Sequence, residues 1–168
     1  MQEIITEQQI KKRVKELAIE ISRDYRGKVP IFIGILNGCF IFLADLVREL
    51  SIECEVDFIK LASYKGEKSM GTVHLLKDIS ADITEQDVII IEDIVDTGLT
   101  MNFLKTRLEN AGPSSLRFVT LLFKKDVARL NFKLDYIGFE IPSDYVVGYG
   151  LDYNQKMRNL RGIFRINS

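Results

Sequence analysis

Cysteine is scarce in this chain. Cys39 and Cys54 stand alone, without the spacing of a metal site, and fit a reducing compartment where thiols behave as small buried hydrophobes. A charge excess is also missing: 23 basic and 24 acidic residues leave a net charge of −1. No overall basic field advertises a nucleic acid or an anionic membrane, so neither is expected as a partner. No apolar run approaches the length of a membrane span. Residues 1–15 are polar and charged rather than a secretory signal, which gives a cytoplasmic expectation. There is no internal repeat, low-complexity tract or linker, and 168 residues suffice for one domain with a sizeable core. Two phosphate-binding signatures are absent as well: no GxxxxGK[ST], and no GxGxxG after a strand.

What is present centres on residues 88–100. Val88-Ile89-Ile90-Ile91 is apolar on both faces, as in a buried parallel strand. The run stops at Glu92-Asp93; Asp96, Thr97, Gly98 and Thr100 follow, and then a helix. Carboxylates at the C-terminal end of such a strand lie where open α/β sheets bind ligands. A turn that delivers N–H groups and hydroxyls to a helix start is a phosphate site. For any one carboxylate a solvated acidic loop is the competing explanation; the whole pattern favours a sugar phosphate. Three carboxylates so close repel one another unless a divalent cation or sugar hydroxyls relieve them.

Elsewhere, residues 6–25 read as a helix, with Thr6 and Gln9 at capping-box spacing and Ile10, Val14, Leu17 and Ile21 as one stripe. Residues 31–36 read as a strand, broken by Asn37-Gly38 before an apolar helix at 40–50, whose character hints at an interface. Residues 53–61 read as a strand, 62–72 as a mobile loop, and 73–76 as a short strand. A helix at 101–110 stops at Gly112-Pro113, and strands are expected at 116–123, 136–141 and 162–166. This alternation predicts an α/β fold with a mainly parallel sheet.

The segment from Val88 to Thr100 resembles the phosphoribosyl-pyrophosphate (PRPP) motif of the type I phosphoribosyltransferases. Glu140-Ile141-Pro142 and the run from Val146 to Asn154 resemble the 6-oxopurine (hypoxanthine-guanine) branch. The resemblance runs from about Ile31 to Arg158. It implies a single phosphoribosyltransferase domain over residues 1–168, with helices flanking the sheet and a small hood built from the chain termini. It also implies purine salvage: PRPP and hypoxanthine or guanine give IMP or GMP and pyrophosphate, with Mg²⁺ as cofactor, in a homodimer or homotetramer.

The resemblance assigns roles residue by residue. Glu92 and Asp93 would accept from the ribose hydroxyls, as acceptor-only carboxylates can. Asp96, Thr97, Gly98, Leu99 and Thr100 would wrap the 5′-phosphate; Leu99 stands where several relatives carry Lys, so only its main chain is implied. Asp96 would be the general base at purine N7. Leu36, Asn37 and Gly38 would bind pyrophosphate through main-chain N–H groups, often with a cis peptide in relatives, and Arg158 would contact it too. Taken alone, that tripeptide is also a plain strand-to-helix turn. Ser63 and Tyr64 would open a loop that closes over the reaction centre. Lys124 would donate to O6, Tyr145 would stack on the purine, and Val146 would read it by backbone groups. Without the resemblance, Lys124 and Lys125 are an exposed pair. Asp152 would bind magnesium through water, with Glu92 and Asp93 nearby. His74 matches no catalytic position and receives no role. Competing functions are a nucleotide-sensing RNA-binding regulator of the same fold, which would need a basic face, and a transferase for another base.

Overall fold

The computed structural model describes residues 1–66 and 69–166, with side chains described outside 63–71. The chain runs β1 (Gln2–Ile5), α1 (Glu7–Asp24), β2 (Ile31–Leu36), α2 (Phe40–Glu49), β3 (Glu55–Gly66) and β4 (Ser69–Lys77). It continues through β5 (Asp87–Val95), α3 (Leu99–Glu109), β6 (Ser115–Phe123), β7 (Tyr136–Glu140), β8 (Val146–Val147) and β9 (Ile163–Arg165). Six strands form one sheet in the order β4-β3-β2-β5-β6-β7. All neighbours in it are parallel except β3 and β4. Both chain ends contribute to a second sheet, β1-β9-β8, which is the expected hood.

The apolar runs behave as double-faced strands. Ile89 and Ile91 of β5 join Leu17 and Ile21 of α1 and Phe42 and Leu46 of α2 in one core. Val88 and Ile90 point the other way, toward Met101, Leu104 and Leu108 of α3. Successive side chains of a strand alternate between faces, so helices on both sides demand this continuous run. Ile5, Val146 and Ile163 tie the hood to the first core. The apolar residues of α2 are used the same way: Phe42, Leu43 and Leu46 are buried within the chain itself, while Phe40 is exposed.

Two expectations need correction. Residues 62–72 are not a loop of their own: β3 and β4 form a long antiparallel hairpin, with Ala62 opposite His74, Ser63 opposite Val73 and Tyr64 opposite Thr72. The ladder uses main-chain groups that polar side chains on a solvated hairpin do not oppose, so polarity and glycine misled. The side chains of Ser63 and Tyr64, and all of Glu67 and Lys68, lie outside the described residues. Likewise β5 does not stop at the carboxylates. It runs on to Val95, pairing Glu92 with Thr120, Ile94 with Leu122 and Val95 with Phe123. The neighbouring β6 continues the ladder whatever side chains β5 carries. The short strands β1 and β8 had no legible signal.

Connections from β2 lead one way, through α2 to β3; those from β5 lead the other way, through α3 to β6. The C-terminal ends of β2 and β5 therefore flank the point where the winding reverses, the place where such sheets open a crevice. At the far edge, Arg13 of α1 donates from Nη2 to Ile137 O (2.7 Å) and from Nε to Gly138 O (3.0 Å) on β7. The start of α1 carries the expected reciprocal cap: Thr6 Oγ1 accepts from Gln9 N at 3.2 Å, and Thr6 N donates to Gln9 Oε1 at 2.8 Å. Thr6→Ala removes one arm of this cap and should lower unfolding free energy by about 1 kcal/mol in urea titration; an unchanged midpoint would show the cap is dispensable.

Candidate functional site

The end of β2 meets the end of β5 through a glycine. The Leu36–Asn37 peptide is cis, and Gly38 follows it. A Cβ at position 38 would lie 1.8 Å from Asp93 Oδ2, so only glycine fits against that carboxylate. On its other side, a Cβ at Gly150 would stand 2.1 Å from Gly38 O. Gly150 itself has φ +103°. The three expected pyrophosphate residues are thus locked between β5 and the chain leading out of β8, with Asn37 exposed.

The expected trio of carboxylates is divided. Glu92 and Asp93 are buried. Glu92 Oε1 accepts from Asp93 N at 3.1 Å, and Asp93 Oδ1 accepts from Ile94 N at 2.9 Å. Burial, and then the charge of Asp93, pushes the Glu92 carboxyl well above the usual range. Burial raises Asp93 as well, opposed by hydrogen bonds and by Arg158. Asp96 is exposed at the mouth. Among the described residues, no three acidic, histidine or cysteine side chains converge as a metal cage.

After β5 the turn is held from outside. Thr97 O accepts from Arg129 N at 2.9 Å, and Asn102 Nδ2 donates to Arg129 O at 2.9 Å. Gly98 caps α3 at φ +90°, where a Cβ would meet Arg129 O at 2.9 Å. No side chain at this cap position closes the helix start. Thr97 Oγ1 accepts from Leu99 N at 3.4 Å, and the helix start, with the positive end of its dipole, borders a cleft of about 210 Å³ that Glu92, Asp96, Thr97, Gly98 and Thr100 help to line. Leu99 is exposed, and its side chain takes no part in the lining.

A second cleft, about 200 Å³, adjoins the first through Ile94 and Asp96. It brings together every residue expected around the base: Asp96, Lys124, Tyr145, Val146 and Asp152. Lys124 is buried, its N–H on Val95 O at 3.0 Å, and its Nζ donates to Asp96 Oδ2 at 2.8 Å. It is therefore not one of an exposed lysine pair, whereas Lys125 is exposed. Tyr145 presents an exposed ring, its hydroxyl on Asp152 O at 3.2 Å. Asp152 Oδ2 accepts from Gln155 N at 2.7 Å, and its Oδ1 lies 3.3 Å from Arg158 Nη2. Arg158 Nη1 donates to Gly150 O at 2.7 Å, which places the guanidinium beside the Leu36–Gly38 turn that Gly150 packs against. A larger hollow, about 700 Å³, lies elsewhere, between α3 and residues 78–79; apolar Ile79, Phe103 and Leu108 line it, and the strand-end clefts collect the chemistry instead.

Several lining or supporting residues were not foreseen. Ile94 and Leu151 give the base cleft apolar walls. Ile94 directly follows the acidic pair near the end of a strand, a signal that could have placed it there. Arg129 and Asn102, by contrast, support the turn across about 30 residues of sequence, and nothing local marks them.

Comparison with known proteins agrees with this geometry. Residues 1–154 match the model of the phosphoribosyl transferase domain. The chain is 42% identical over 165 residues to the hypoxanthine-guanine phosphoribosyltransferase of Aquifex aeolicus, covering 97% of this chain and 93% of that one. It belongs to the hypoxanthine-guanine phosphoribosyltransferase family. The enzyme of that name from Bacillus subtilis is 40% identical over 158 residues, covering 94% of this chain and 88% of the relative. Among solved structures, a hypoxanthine-guanine phosphoribosyltransferase from Bacillus anthracis, with HEPES in its active site, superposes with a TM-score of 0.95 at 41% identity, covering 99% of each chain. A ternary substrates complex of the Trypanosoma cruzi hypoxanthine phosphoribosyltransferase, a K68R mutant, superposes at 0.92 with 38% identity, over 99% of this chain and 95% of that one.

The buried acidic pair has a measurable consequence for this family member. With Glu92 raised above its ordinary value of 4.5, the folded state keeps a proton that the unfolded chain releases. The associated stability is fully present below that value and is lost as pH climbs through the raised one. Glu92→Gln abolishes the loss, so its Tm should fall less than the parent's between about pH 5 and about pH 9. Parallel Tm–pH curves for the two proteins would contradict this.

Proposed function

We propose that this chain transfers the 5-phosphoribosyl group of PRPP to N9 of hypoxanthine, and of guanine, releasing IMP or GMP and pyrophosphate. The observation that carries it is the Lys124–Asp96 pair, 2.8 Å apart in the base cleft. One donor beside one acceptor is the complement of a 6-oxopurine, whose O6 accepts while its neighbouring N7–H donates. Lys124 holds O6, and Asp96 takes the N7 proton as the new bond forms at N9. Adenine presents a second donor at position 6, set against the Lys124 ammonium where O6 would accept. Tyr145 supplies a flat apolar face, and Val146 offers its main chain.

The neighbouring cleft takes the sugar. Glu92 and Asp93 accept from the ribose hydroxyls, and residues 96–100 take the 5′-phosphate on amides and hydroxyls at the start of α3. Leu36, Asn37, Gly38 and Arg158 hold pyrophosphate. The donor set suits magnesium: Asp152 offers one carboxylate beside the pyrophosphate loop, and Mg²⁺ favours one or two carboxylates with water and substrate phosphates over an all-protein cage. Asp152 would hold it, with Glu92 and Asp93 nearby, and the ion would neutralise charge on the phosphate oxygens. Ser63 and Tyr64, on the hairpin, close over the site and keep water from the reacting ribose. Residues 1–168 act as one catalytic domain, in a cytoplasmic homodimer or homotetramer. Among the described residues no helix is long and apolar enough to cross a membrane.

Mixing the protein with PRPP, Mg²⁺ and each of six bases, and following pyrophosphate, tests this. Hypoxanthine and guanine should be turned over and adenine disfavoured by about 10⁴-fold. Asp96→Asn should cut kcat by about 10²–10⁴-fold with a much smaller change in KM for PRPP. Comparable turnover of adenine, or an unimpaired Asp96→Asn enzyme, would overturn these roles.

A further inference from the structure

Tyr149 is a residue that the transfer chemistry does not use. It lies between two glycines, with φ +50° flanked by Gly148 at +100° and Gly150 at +103°. A side chain disfavours that left-handed backbone, yet a large one is placed there, 7% exposed. Its ring fills part of the first core, a task phenylalanine would serve equally. Its hydroxyl, however, donates to Asp45 Oδ2 at 2.6 Å, across 104 residues of sequence. Burial, and then the Asp45 carboxylate, hold the phenol in its protonated, donating form.

The two partners sit on the two elements that present the pyrophosphate groups. Asp45 is on α2, which starts directly after the Leu36–Gly38 turn; Cys39 N donates to Ile35 O (3.4 Å) and Leu43 N to Cys39 O (2.8 Å) across that junction. Tyr149 is on the arm that carries Asp152 and Arg158, pinned by Tyr149 N to Leu160 O (2.8 Å) and Gly150 N to Arg158 O (2.9 Å). Where the elements touch, Gly150 presses on Gly38 O without a side chain to interlock them. The phenol–carboxylate bond supplies a directional tie that this glycine contact lacks.

We propose that Tyr149 and Asp45 form a positioning latch that sets the arm carrying Asp152 and Arg158 over the pyrophosphate loop, so that its loss loosens the grip on PRPP and pyrophosphate and leaves the base cleft alone. The latch rests on the transferase reading given above. Tyr149 is a positioning residue: it touches neither substrate nor reacting atoms.

Steady-state kinetics in both directions test it. Tyr149→Phe and Asp45→Leu should each raise KM for PRPP, and KM for pyrophosphate in the reverse reaction, about tenfold. KM for hypoxanthine should move less than about twofold, a split that general loosening of the fold would not give. Asp45→Asn keeps an acceptor and should stay within about twofold of the parent, and the double variant should be no worse than the weaker single one. Unchanged pyrophosphate KM in both single variants, an equal rise in hypoxanthine KM, an impaired Asp45→Asn enzyme, or additive losses would each overturn the latch. If Asp45→Leu fails to fold, Tyr149→Phe and Asp45→Asn still decide. A parent that releases no pyrophosphate with any base refutes the transfer itself; an active parent with indifferent variants refutes only the latch.

Discussion

The site depends on one steric constraint: the backbone at Gly38 must lie against a carboxylate on one side and another backbone on the other. Asp93 Oδ2 and the Gly150 main chain leave no room for a β-carbon at either glycine. This contact draws β2, β5 and the arm beyond β8 to one point, and the switch in winding direction makes that point a crevice. Two clefts open there side by side, sharing Ile94 and Asp96. Of the three carboxylates in residues 92–96, Asp96 is the one that lines both clefts and reaches solvent.

Burial then distributes the acidic chemistry. Glu92 and Asp93 face a protein interior that resists two charges, and both carboxyls are pushed above their usual range. Asp96, one turn later, sits in solvent and is balanced by Lys124. Three carboxylates within five residues of sequence therefore do different work because β5 carries the first two inward before the turn begins.

Much of this was written in local sequence. Double-faced Val88–Ile91 announced a central strand, Thr6 and Gln9 announced the start of α1, and the acidic turn with its Thr-Gly pair announced the turn that lines a cleft at the start of α3. The Leu36–Asn37–Gly38 break marked the partner loop. What escaped was non-local. Short β1 and β8 become strands only because β9 lies between them. The β3–β4 hairpin owes its length to main-chain pairing, to which composition is nearly blind. From the residues alone Lys124 and Lys125 read as an exposed pair, and only the resemblance singled out Lys124, which the end of β6 buries. Asn102 and Arg129 matter through main-chain bonds that no side-chain pattern encodes.

The hold of Arg13 on Ile137 and Gly138 bears on a different scale of organisation. Carbonyls of a strand alternate in direction, so of two neighbours on β7 one is turned away from β6, toward the open margin of the sheet. A guanidinium engaging both puts a fixed positive charge beside the groups on which a foreign strand would dock. Fibril-like growth of the sheet from this margin is thereby discouraged.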